Sequence, residues 1–341
     1  MDEALELQVA ALPQTIHQPV HPGFPAHMKY NIPEQYVLEI PNGRVLGPNG
    51  YILAPDDRLI GGLSREFKIN DAFHRMSVFR SIKLPGVQRI KGTVASVAYP
   101  GGAYNYFHWI FDVLPRLGLL EMDGGLDRFD KIVINEFRFP FHRQLFSHFG
   151  IPEEKLIFAG RHTHIEADHL VVPSIPEYHD FIPQWSLDYL RKKISYNFDN
   201  NGGHPRRIYI TRRTAKKRRL LNEDALISQL IPLGFSIVEP EKLSVEQQAS
   251  VFHHADLIIA PHGAGQSNLL FCRPGTKIIE IFPPAWVNVC YWNMANSLGL
   301  DYYYIMGEKP AVAHSKAGVE DDLLINPEHF RLTLELAGLK D

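Results

Sequence analysis

The sequence predicts an α/β protein with two Rossmann-like domains and a cleft between them. After residue 205, predicted strands and helices alternate five times at the spacing of βα units, which is typical of a doubly wound parallel sheet. The chain of 341 residues is long enough for two domains of about 150 residues each. The segment DNNGGHP, at 199–205, is the best candidate for a linker, so the predicted domains cover 1–199 and 200–341.

In the first predicted domain, the first 35 or so residues are rich in Pro and His and show no period, which predicts an irregular arm. Between 36 and 60, short apolar runs separated by turn signals predict β-hairpins. The remaining pattern predicts strands at 93–99, 130–136, 155–160 and 167–174, and helices at 105–122, 140–150 and 184–198. Asn105 is a candidate cap of the first of these helices, and Pro115 is expected to kink it.

In the second predicted domain, apolar runs of strand length are followed by amphipathic segments. The predicted strands are 206–212, 235–240, 256–263, 276–283 and 301–307, and the predicted helices are 222–234, 244–255, 265–275 and 288–299. Ser244 is the expected cap of the helix that begins there. The regular order of these elements predicts that ligands bind beyond the carboxyl ends of the strands.

Composition excludes several classes of protein. Charged residues make up 21% of the chain and the formal net charge is −3, which does not suggest a general nucleic-acid binder. No run of about 18 apolar residues and no signal peptide is found, so we expect a cytoplasmic protein that could contact the inner face of a membrane peripherally. The two cysteines, Cys272 and Cys290, lie in apolar runs and are expected to be buried free thiols.

The segment IIAPHGAGQSNLLF contains more glycine than a turn requires. Its loop consists of His262, Gly263, Ala264 and Gly265, and Asn268 follows. A loop that opens a helix after a strand presents free N–H groups, and glycine allows a ligand to approach the backbone closely, so the loop is a candidate phosphate site. From the stretch alone, a tight βα turn with glycine for packing is about equally compatible. We expect His262 to face the ligand and not the core.

A basic segment, ITRRTAKKRRLLNE, follows the first strand of the second domain. Its arginines are Arg212, Arg213, Arg218 and Arg219. Arginine binds phosphate bidentately, so these side chains could hold a diphosphate opposite the glycine loop. A solvated basic loop is the alternative. A nucleic-acid site is less favoured because the segment is short and lacks interleaved aromatic residues.

Three groups of carboxylates and histidines carry further hypotheses. Glu280 stands near the end of an apolar strand, where it could accept from ribose hydroxyls or be a buried carboxylate paired within the protein. His108 and Asp112 lie four apart and share a face of the predicted helix, either as a general base with its partner or as a structural hydrogen bond. His162 and His164 alternate in RHTHIEADH, but no second ligand group has a typical spacing, so no metal site is predicted.

Three blocks together resemble glycosyltransferase family 61: YNYFHWIFDVLPRL, RIYITRRTAKKRRLLNE and LSVEQQASVFHHADLIIAPHGAGQSNLLFCRPGTKIIEIFP. The resemblance implies a GT-B fold, an inverting mechanism, a nucleotide-sugar donor such as a UDP-sugar, and no metal or other cofactor. The implied acceptor is a hydroxyl of a glycan, polysaccharide or lipid-linked saccharide. A non-catalytic nucleotide-sugar-binding protein of the same fold is the alternative, and nucleic acid is not an expected partner.

The resemblance also suggests roles for the candidate residues. Glu280 would hold the ribose, and the N–H groups after His262 would neutralise the diphosphate together with Arg212 and Arg218 or Arg219. Asp112 is the first choice for the base that deprotonates the acceptor, and His108 is the second. Asn105 and Asn268 are further candidates for substrate binding.

Overall fold

The computed structural model describes residues 7–67, 73–80, 83–176, 181–198, 203–284, 286–309 and 322–339. Contacts divide the chain into two compact units. The C-terminal unit comprises Met1–Ile32, His179–Ile182 and Ser195–Asp341, and the inserted unit comprises Pro33–Tyr178 and Pro183–Ile194. The predicted α/β class is confirmed, whereas the GT-B-like cleft between two domains stays a prediction.

The strands are short, and most follow the predicted apolar runs. They are β1 (Leu7–Val9), β2 (Lys29–Asn31), β3 (Val37–Pro41), β4 (Arg44–Leu46), β5 (Tyr51–Leu53), β6 (Gln88–Ser96), β7 (Lys131–Asn135), β8 (Leu156–Ala159), β9 (His164–Pro173), β10 (Arg207–Ile210), β11 (Phe235–Val238), β12 (Leu257–Pro261), β13 (Lys277–Phe282) and β14 (Asp301–Met306). The α-helices are α1 (Tyr106–His108), α2 (Leu114–Met122), α3 (Pro140–Phe146), α4 (Gln184–Lys193), α5 (Glu223–Leu230), α6 (Val245–His254), α7 (Cys290–Leu298) and α8 (Pro327–Leu336).

The C-terminal unit contains a five-stranded sheet in the order β11-β10-β12-β13-β14, with every strand pair parallel. Its central strands, β12 and β13, are almost entirely buried, as expected for apolar runs covered on both faces. The predicted cap at Ser244 is confirmed, because its side chain accepts from Gln247 N at the start of α6. Cys272 and Cys290 are both buried and are not joined by a disulfide bond, as predicted.

The N-terminal arm, residues 7–32, belongs to the C-terminal unit, whereas the sequence placed it with the first domain. Gln14 bridges to Tyr303 beside the edge strand β14, and Trp292 donates its indole N–H to Ala11 O at 2.9 Å. Phe24 is fully buried, with its ring 4.6 Å from that of Tyr304. The arm therefore completes the apolar core of this unit at its sheet edge.

The inserted unit contains a seven-stranded mixed sheet in the order β5-β4-β9-β6-β7-β8, with β3 also paired to β9. The strands β9, β6, β7 and β8 are parallel, and the predicted hairpin region supplies the antiparallel strands. Both sheets have a switch point, which is a pair of neighbouring parallel strands that are not consecutive in the chain. It lies between β10 and β12 in the C-terminal unit and between β6 and β9 in the inserted unit. Ligands of open α/β sheets bind beyond the carboxyl ends of strands at such points.

Candidate functional site

The switch point of the C-terminal unit lies between β10 and β12, which pair in parallel. Arg212 follows the carboxyl end of β10, and His262 and Gly263 follow that of β12. The backbone N–H of His262 donates to Ile281 O at 2.9 Å, which extends the pairing of β12 with β13 to this residue. The sheet thus brings the predicted arginine loop and the predicted glycine loop together.

Gly263 is in direct contact with the guanidinium of Arg212. A Cβ added to Gly263 would overlap Nη1 of Arg212, although the backbone of Gly263 is extended and open to any residue. A Cβ at Gly265 would make only ordinary contacts, 3.6 Å from Pro240 Cγ and 3.7 Å from Ile210 Cγ2. Of the two predicted glycines, Gly263 is therefore the one whose missing side chain accommodates the arginine.

Arg212 carries a charge without a carboxylate partner among the described residues. Its Nη2 donates to Lys217 O at 3.2 Å, while its Nε is buried and makes no hydrogen bond within the described part of the chain. Burial, and then the positive charge of Arg218, lower the pKa of the Arg212 guanidinium. An anion placed here would relieve both the desolvation and the repulsion between the two arginines.

The other arginines of the loop differ in their surroundings. Arg218 has its guanidinium carbon 5.6 Å from the ring centre of Trp286, and its charge is close enough to Arg212 to lower the pKa of that guanidinium. Arg219 instead pairs with Asp322, with Nη2 2.6 Å from Oδ2, and Arg213 pairs with Glu223 and Asp224. The structure thus brings Arg212 and Arg218 to the glycine loop and engages Arg219 elsewhere.

Glu223 was not singled out from the sequence, yet it anchors the start of the arginine loop. Its buried carboxylate accepts from Tyr209 Oη and Thr211 Oγ1, both at 2.9 Å, and from Arg212 N at 3.2 Å. Its position in the first turn of α5 looks like an ordinary helix-start acid, so the sequence gives no signal for this role. The contacts fix the backbone from which Arg212 projects.

His262 and Glu280 form a buried pair. The Nδ1 of His262 lies 2.5 Å from Oε1 of Glu280, whose side chain is 0% exposed, and Gln266 Nε2 donates to the same oxygen at 3.2 Å. The second oxygen accepts from the hydroxyl of Tyr302. The carboxylate is satisfied within the protein, which corresponds to the paired alternative weighed from the sequence.

The imidazole of His262 is only 8% exposed, and the expectation that it faces a ligand stays a prediction. Its ring lies 4.9 Å from that of Trp286 and 5.3 Å from that of Tyr291. Because Nδ1 faces Glu280, the tautomer with a proton on Nδ1 is favoured, and Nε2 is left without a hydrogen bond among the described residues. The arrangement defines one orientation of the imidazole.

The remaining predicted residues of this loop have structural contacts. A 3₁₀ helix, Ala264–Phe271, begins at Ala264, and its first N–H groups, at Ala264 and Gly265, lack intrahelical acceptors. Asn268 is fully buried and donates to Gln248 Oε1 at 2.7 Å, which connects this helix to α6. Asn268 therefore stabilises the position of the 3₁₀ helix, whereas Ala264 and Gly265 have backbone N–H groups that a ligand could use.

The inserted unit contains the second predicted cluster, in which Nδ1 of His108 lies 2.7 Å from Oδ2 of Asp112. Between the two, the helix widens into a π-helical turn at Trp109–Val113, where Leu114 N–H donates to Trp109 O. Pro115 follows this turn and has no N–H for the next α-helical bond. The kink expected at Pro115 stays a prediction. Asn105 accepts from Phe107 N at 2.9 Å, which confirms the predicted cap.

Asp112 is buried with one oxygen unpaired. Its side chain is 1% exposed, and Oδ1 makes no hydrogen bond within the described part of the chain. Burial raises the pKa of the Asp112 carboxyl, although the bond to His108 favours the carboxylate. His108 is 23% exposed, so a proton can pass between this pair and a bound hydroxyl.

Arg116 lies one turn beyond Asp112 and is also buried. It donates to Ala98 O at 2.9 Å and to Pro173 O at 2.8 Å, and no carboxylate of the described residues is in contact with it. Burial lowers the pKa of the Arg116 guanidinium to about 10. Its charge nevertheless favours the carboxylate of Asp112, and this second buried charge was not anticipated from the sequence.

The histidines of RHTHIEADH have separate partners. His164 Nδ1 lies 2.8 Å from Pro85 O, and His162 accepts from Arg161 Nε at 2.8 Å. Within the described ranges, no three side chains of His, Cys, Asp or Glu are grouped as metal ligands would be. None of the helices in those ranges is long and apolar enough to span a bilayer.

A parallel α/β sheet with basic and glycine residues at its switch point is typical of nucleotide-binding proteins. The sequence profile described as Glycosyltransferase 61 matches residues 106–279, about half of the chain. The chain belongs to glycosyltransferase family 61, which confirms the resemblance drawn from the three blocks.

Individual relatives agree with this membership. The chain is 29% identical over 139 residues to a β-1,2-xylosyltransferase of Oryza sativa subsp. japonica, covering 38% of this chain and 24% of the relative. It is 28% identical over 118 residues to a xylan glycosyltransferase of Arabidopsis thaliana, covering 32% and 24%. It is 34% identical over 97 residues to the EGF domain-specific O-linked N-acetylglucosamine transferase of Drosophila melanogaster, covering 28% and 18%. The matches thus span a quarter or less of these relatives' length.

Proposed function

We propose that this protein is an inverting glycosyltransferase that moves a sugar from a nucleotide-sugar donor, with UDP-sugars as the first choice, to a hydroxyl of a glycan or lipid-linked saccharide. Membership of glycosyltransferase family 61 supports glycosyl transfer. The observation that carries the donor assignment is the contact between Arg212 and Gly263 at the switch point, where an arginine without a carboxylate partner meets a helix start.

Arg212 and Arg218 bind the diphosphate of the donor in this proposal. Arg212 contacts Gly263, and the N–H groups of the next two residues, Ala264 and Gly265, lack intrahelical acceptors and supply additional hydrogen bonds to phosphate oxygens. The charge of Arg218 is close enough to lower the pKa of the Arg212 guanidinium. These charges stabilise the leaving nucleoside diphosphate as the bond to the sugar breaks. The positive charge that a metal ion supplies in other transferases then comes from the protein, and we propose a metal-independent reaction.

Glu280 acts through His262 and does not bind the ribose. Both oxygens of Glu280 accept from protein donors, so a ribose hydroxyl would have to displace one of them. The carboxylate fixes the Nδ1–H tautomer of His262 and orients the ring beside the loop that binds the diphosphate. Glu280 is thus a positioning residue, and Nε2 of His262 is the atom available to the donor.

The base is proposed to be the pair of Asp112 and His108. An acceptor hydroxyl attacks the anomeric carbon from the face opposite the leaving diphosphate, which inverts that centre, and its proton passes to the pair. Asp112 has a raised pKa, as a carboxylate that takes up a proton near neutral pH requires. His108 is the more exposed of the two and can transmit the proton.

Gly263→Ala should weaken nucleoside-diphosphate binding about tenfold or more with little change in stability. The new methyl group displaces the flexible end of Arg212, and a loss of one charged contact to phosphate is worth roughly 1.5–3 kcal/mol. The measurement is a thermal-shift titration with UDP, GDP, CMP and TDP and their sugar conjugates. A ligand at about 100 times its Kd stabilises the folded state by about 2.7 kcal/mol, which raises the midpoint by several degrees.

Gly86→Ala is the matched control, because a methyl group there meets nothing within 4 Å and Gly86 lies in the inserted unit, outside the proposed donor site. Equal losses in the two variants, or no stabilisation of the unchanged protein by any nucleotide, would refute the donor site. Tight, salt-dependent binding of oligonucleotides in place of nucleotides would indicate a nucleic-acid function. Nucleotide-sugar binding without any turnover would favour the non-catalytic alternative.

A further inference from the structure

The inserted unit contains a cavity of about 760 Å³ that neither predicted cluster uses. Residues that follow the carboxyl ends of β6, β7 and β8 line it, and the side chains of Ile157 and Ile165 lie on the sheet side. Its volume is within the range of about 300–1,000 Å³ that is usual for small-ligand sites. The cavity thus has the size and the position in an open α/β sheet that are expected of a binding site.

The rim of this cavity suits a saccharide. Tyr104 is 60% exposed, and the guanidinium of Arg138 stacks 4.3 Å from its ring centre. The amide of Asn49 and the exposed side chain of Gln88 also line the space, whereas the amide of Asn135, which lines it too, is engaged by Tyr99 and Pro48. An exposed aromatic ring together with amide groups provides an apolar platform and hydrogen bonds, which is the combination that binds polyhydroxylated rings.

The rim also carries one positive charge that no carboxylate balances. Arg138 pairs with Glu136, with Nη2 2.7 Å from Oε2. Arg161 has no ion pair within the described ranges and only donates from Nε to His162 Nε2. Because His162 accepts at Nε2, it is neutral in this arrangement. The remaining N–H groups of Arg161 are therefore available to an anion.

The cavity adjoins the proposed base through Gly101, which lines it. A Cβ on Gly101 would lie 2.9 Å from Cδ2 of His108, so the imidazole rests directly against this glycine. Asn135 holds the chain before Gly101, because it accepts from Tyr99 N at 2.9 Å and donates to Tyr99 O at 3.0 Å. A ligand in the cavity is thus separated from the imidazole by no more than one glycine residue.

We propose that this cavity binds the acceptor, and that the acceptor is a saccharide that carries an anionic group, either a uronate carboxylate or a phosphate. Arg161 binds the anionic group, and Tyr104 contacts the sugar ring. Calling the ligand an acceptor rests on the proposed transfer reaction. Binding of an anionic saccharide in the cavity does not depend on catalysis. His108 then lies next to the bound saccharide, on the other side of Gly101.

The test uses the full chain without nucleotide and measures binding by calorimetry. Trigalacturonic acid and mannose 6-phosphate are the anionic probes, and maltotriose is the neutral one. We expect at least one anionic probe to bind tenfold or more tightly than maltotriose, and the better of the two identifies carboxylate or phosphate. Arg161→Gln should reduce this preference about tenfold, and Tyr104→Ala should weaken the binding of every probe.

Arg128→Gln is the matched control, because Arg128 is also partly exposed but pairs with Asp123 before β7, at the opposite end of that strand. It should bind all probes as the unchanged protein does. Equal affinity for neutral and anionic probes, or equal effects of Arg161→Gln and Arg128→Gln, would overturn the proposal. Stabilisation by nucleotides is measured on the same samples, so a failure here with intact nucleotide binding refutes the cavity and not the proposed donor site.

Discussion

Asp112→Asn is expected to lower the rate of sugar transfer about 10²- to 10⁴-fold, the usual contribution of a general base, while the folded state stays as stable as before or becomes more stable. The asparagine keeps the shape of the side chain but cannot take up a proton. The substitution also replaces a carboxylate whose ionisation is opposed by burial with a neutral amide, so the folded state is not expected to lose stability. If Asp112 had only a structural role, Asp112→Asn would lower the stability of the folded state and leave the rate of sugar transfer nearly unchanged.

The pH dependence of stability gives a second measurement on Asp112. Burial raises the pKa of this carboxyl in the folded state, so its contribution to stability is complete below the pKa of the unfolded chain, about 4, and is lost as the pH rises through the folded value. Asp112→Asn should therefore gain stability relative to the unchanged protein as the pH increases from about 4 towards neutrality. Urea unfolding at several pH values measures this difference.

The rate itself is followed as release of nucleoside diphosphate at saturating donor, with an acceptor that the unchanged protein uses. His108→Ala should also transfer sugar slowly, because Nδ1 of His108 lies 2.7 Å from Oδ2 of Asp112 and the two groups act as one base in the proposal. Asp123→Asn, a change at an exposed carboxylate just after α2, is the control and should keep the full rate. If Asp112→Asn and His108→Ala both retained nearly the original turnover, the assignment of the base would be wrong.

Glu280→Ala is expected to cost about 3–5 kcal/mol of the free energy of unfolding. The change leaves donors of His262, Gln266 and Tyr302 without their acceptor, and it opens space in the core. Glu280→Gln retains one acceptor oxygen and should cost less. Urea unfolding monitored by tryptophan fluorescence reports on both units, because Trp286 and Trp292 belong to the C-terminal unit and Trp109 and Trp185 to the inserted unit. The loss for Glu280→Ala is therefore read from the transition that shifts relative to the unchanged protein.

Glu246→Ala provides the control for this measurement, since Glu246 is exposed in the first turn of α6 and its loss should change stability by about 0.5 kcal/mol or less. Binding of UDP and of inorganic pyrophosphate to Glu280→Gln separates the two roles considered for the carboxylate. A positioning role predicts that both ligands bind more weakly, because His262 is proposed to lie beside the diphosphate. If Glu280→Gln lost UDP binding but kept pyrophosphate binding and stability, Glu280 would be assigned to ribose binding instead.

Much of the C-terminal unit could be predicted from the sequence because its strands are continuous apolar runs and its helices have clear ends. Ser244 followed by Gln247 marks the start of α6, and LIIAP and KIIEIF mark β12 and β13. The pairing of β3 and β4 with β9 could not be predicted, because it joins segments more than a hundred residues apart. The position of the N-terminal arm beside β14 could not be predicted for the same reason, because Gln14 and Tyr303 are far apart in the sequence.

The candidate site divides in a similar way. Residue types and spacing indicated the meeting of Arg212 with the glycine loop and the pairing of His108 with Asp112, because both follow from local periodicity and from the ends of parallel strands. The partners of Glu280 were not predictable, since Tyr302 comes from another strand and nothing in DYYYIM distinguishes it from its neighbours. Arg219 could not be separated from Arg218 because its partner, Asp322, lies 103 positions away.

The position of the arm also sets the order in which the protein can fold during its synthesis. Ala11 is translated 281 positions before Trp292, which donates to it. At about 5–20 residues per second, the ribosome needs roughly 15–60 seconds to bridge that interval. Phe24 meets its aromatic partners only after β14 has emerged, whereas all strands of the inserted unit are available much earlier. The inserted unit is therefore free to fold first, and the first segment of the C-terminal unit to be translated is among the last to acquire its native contacts.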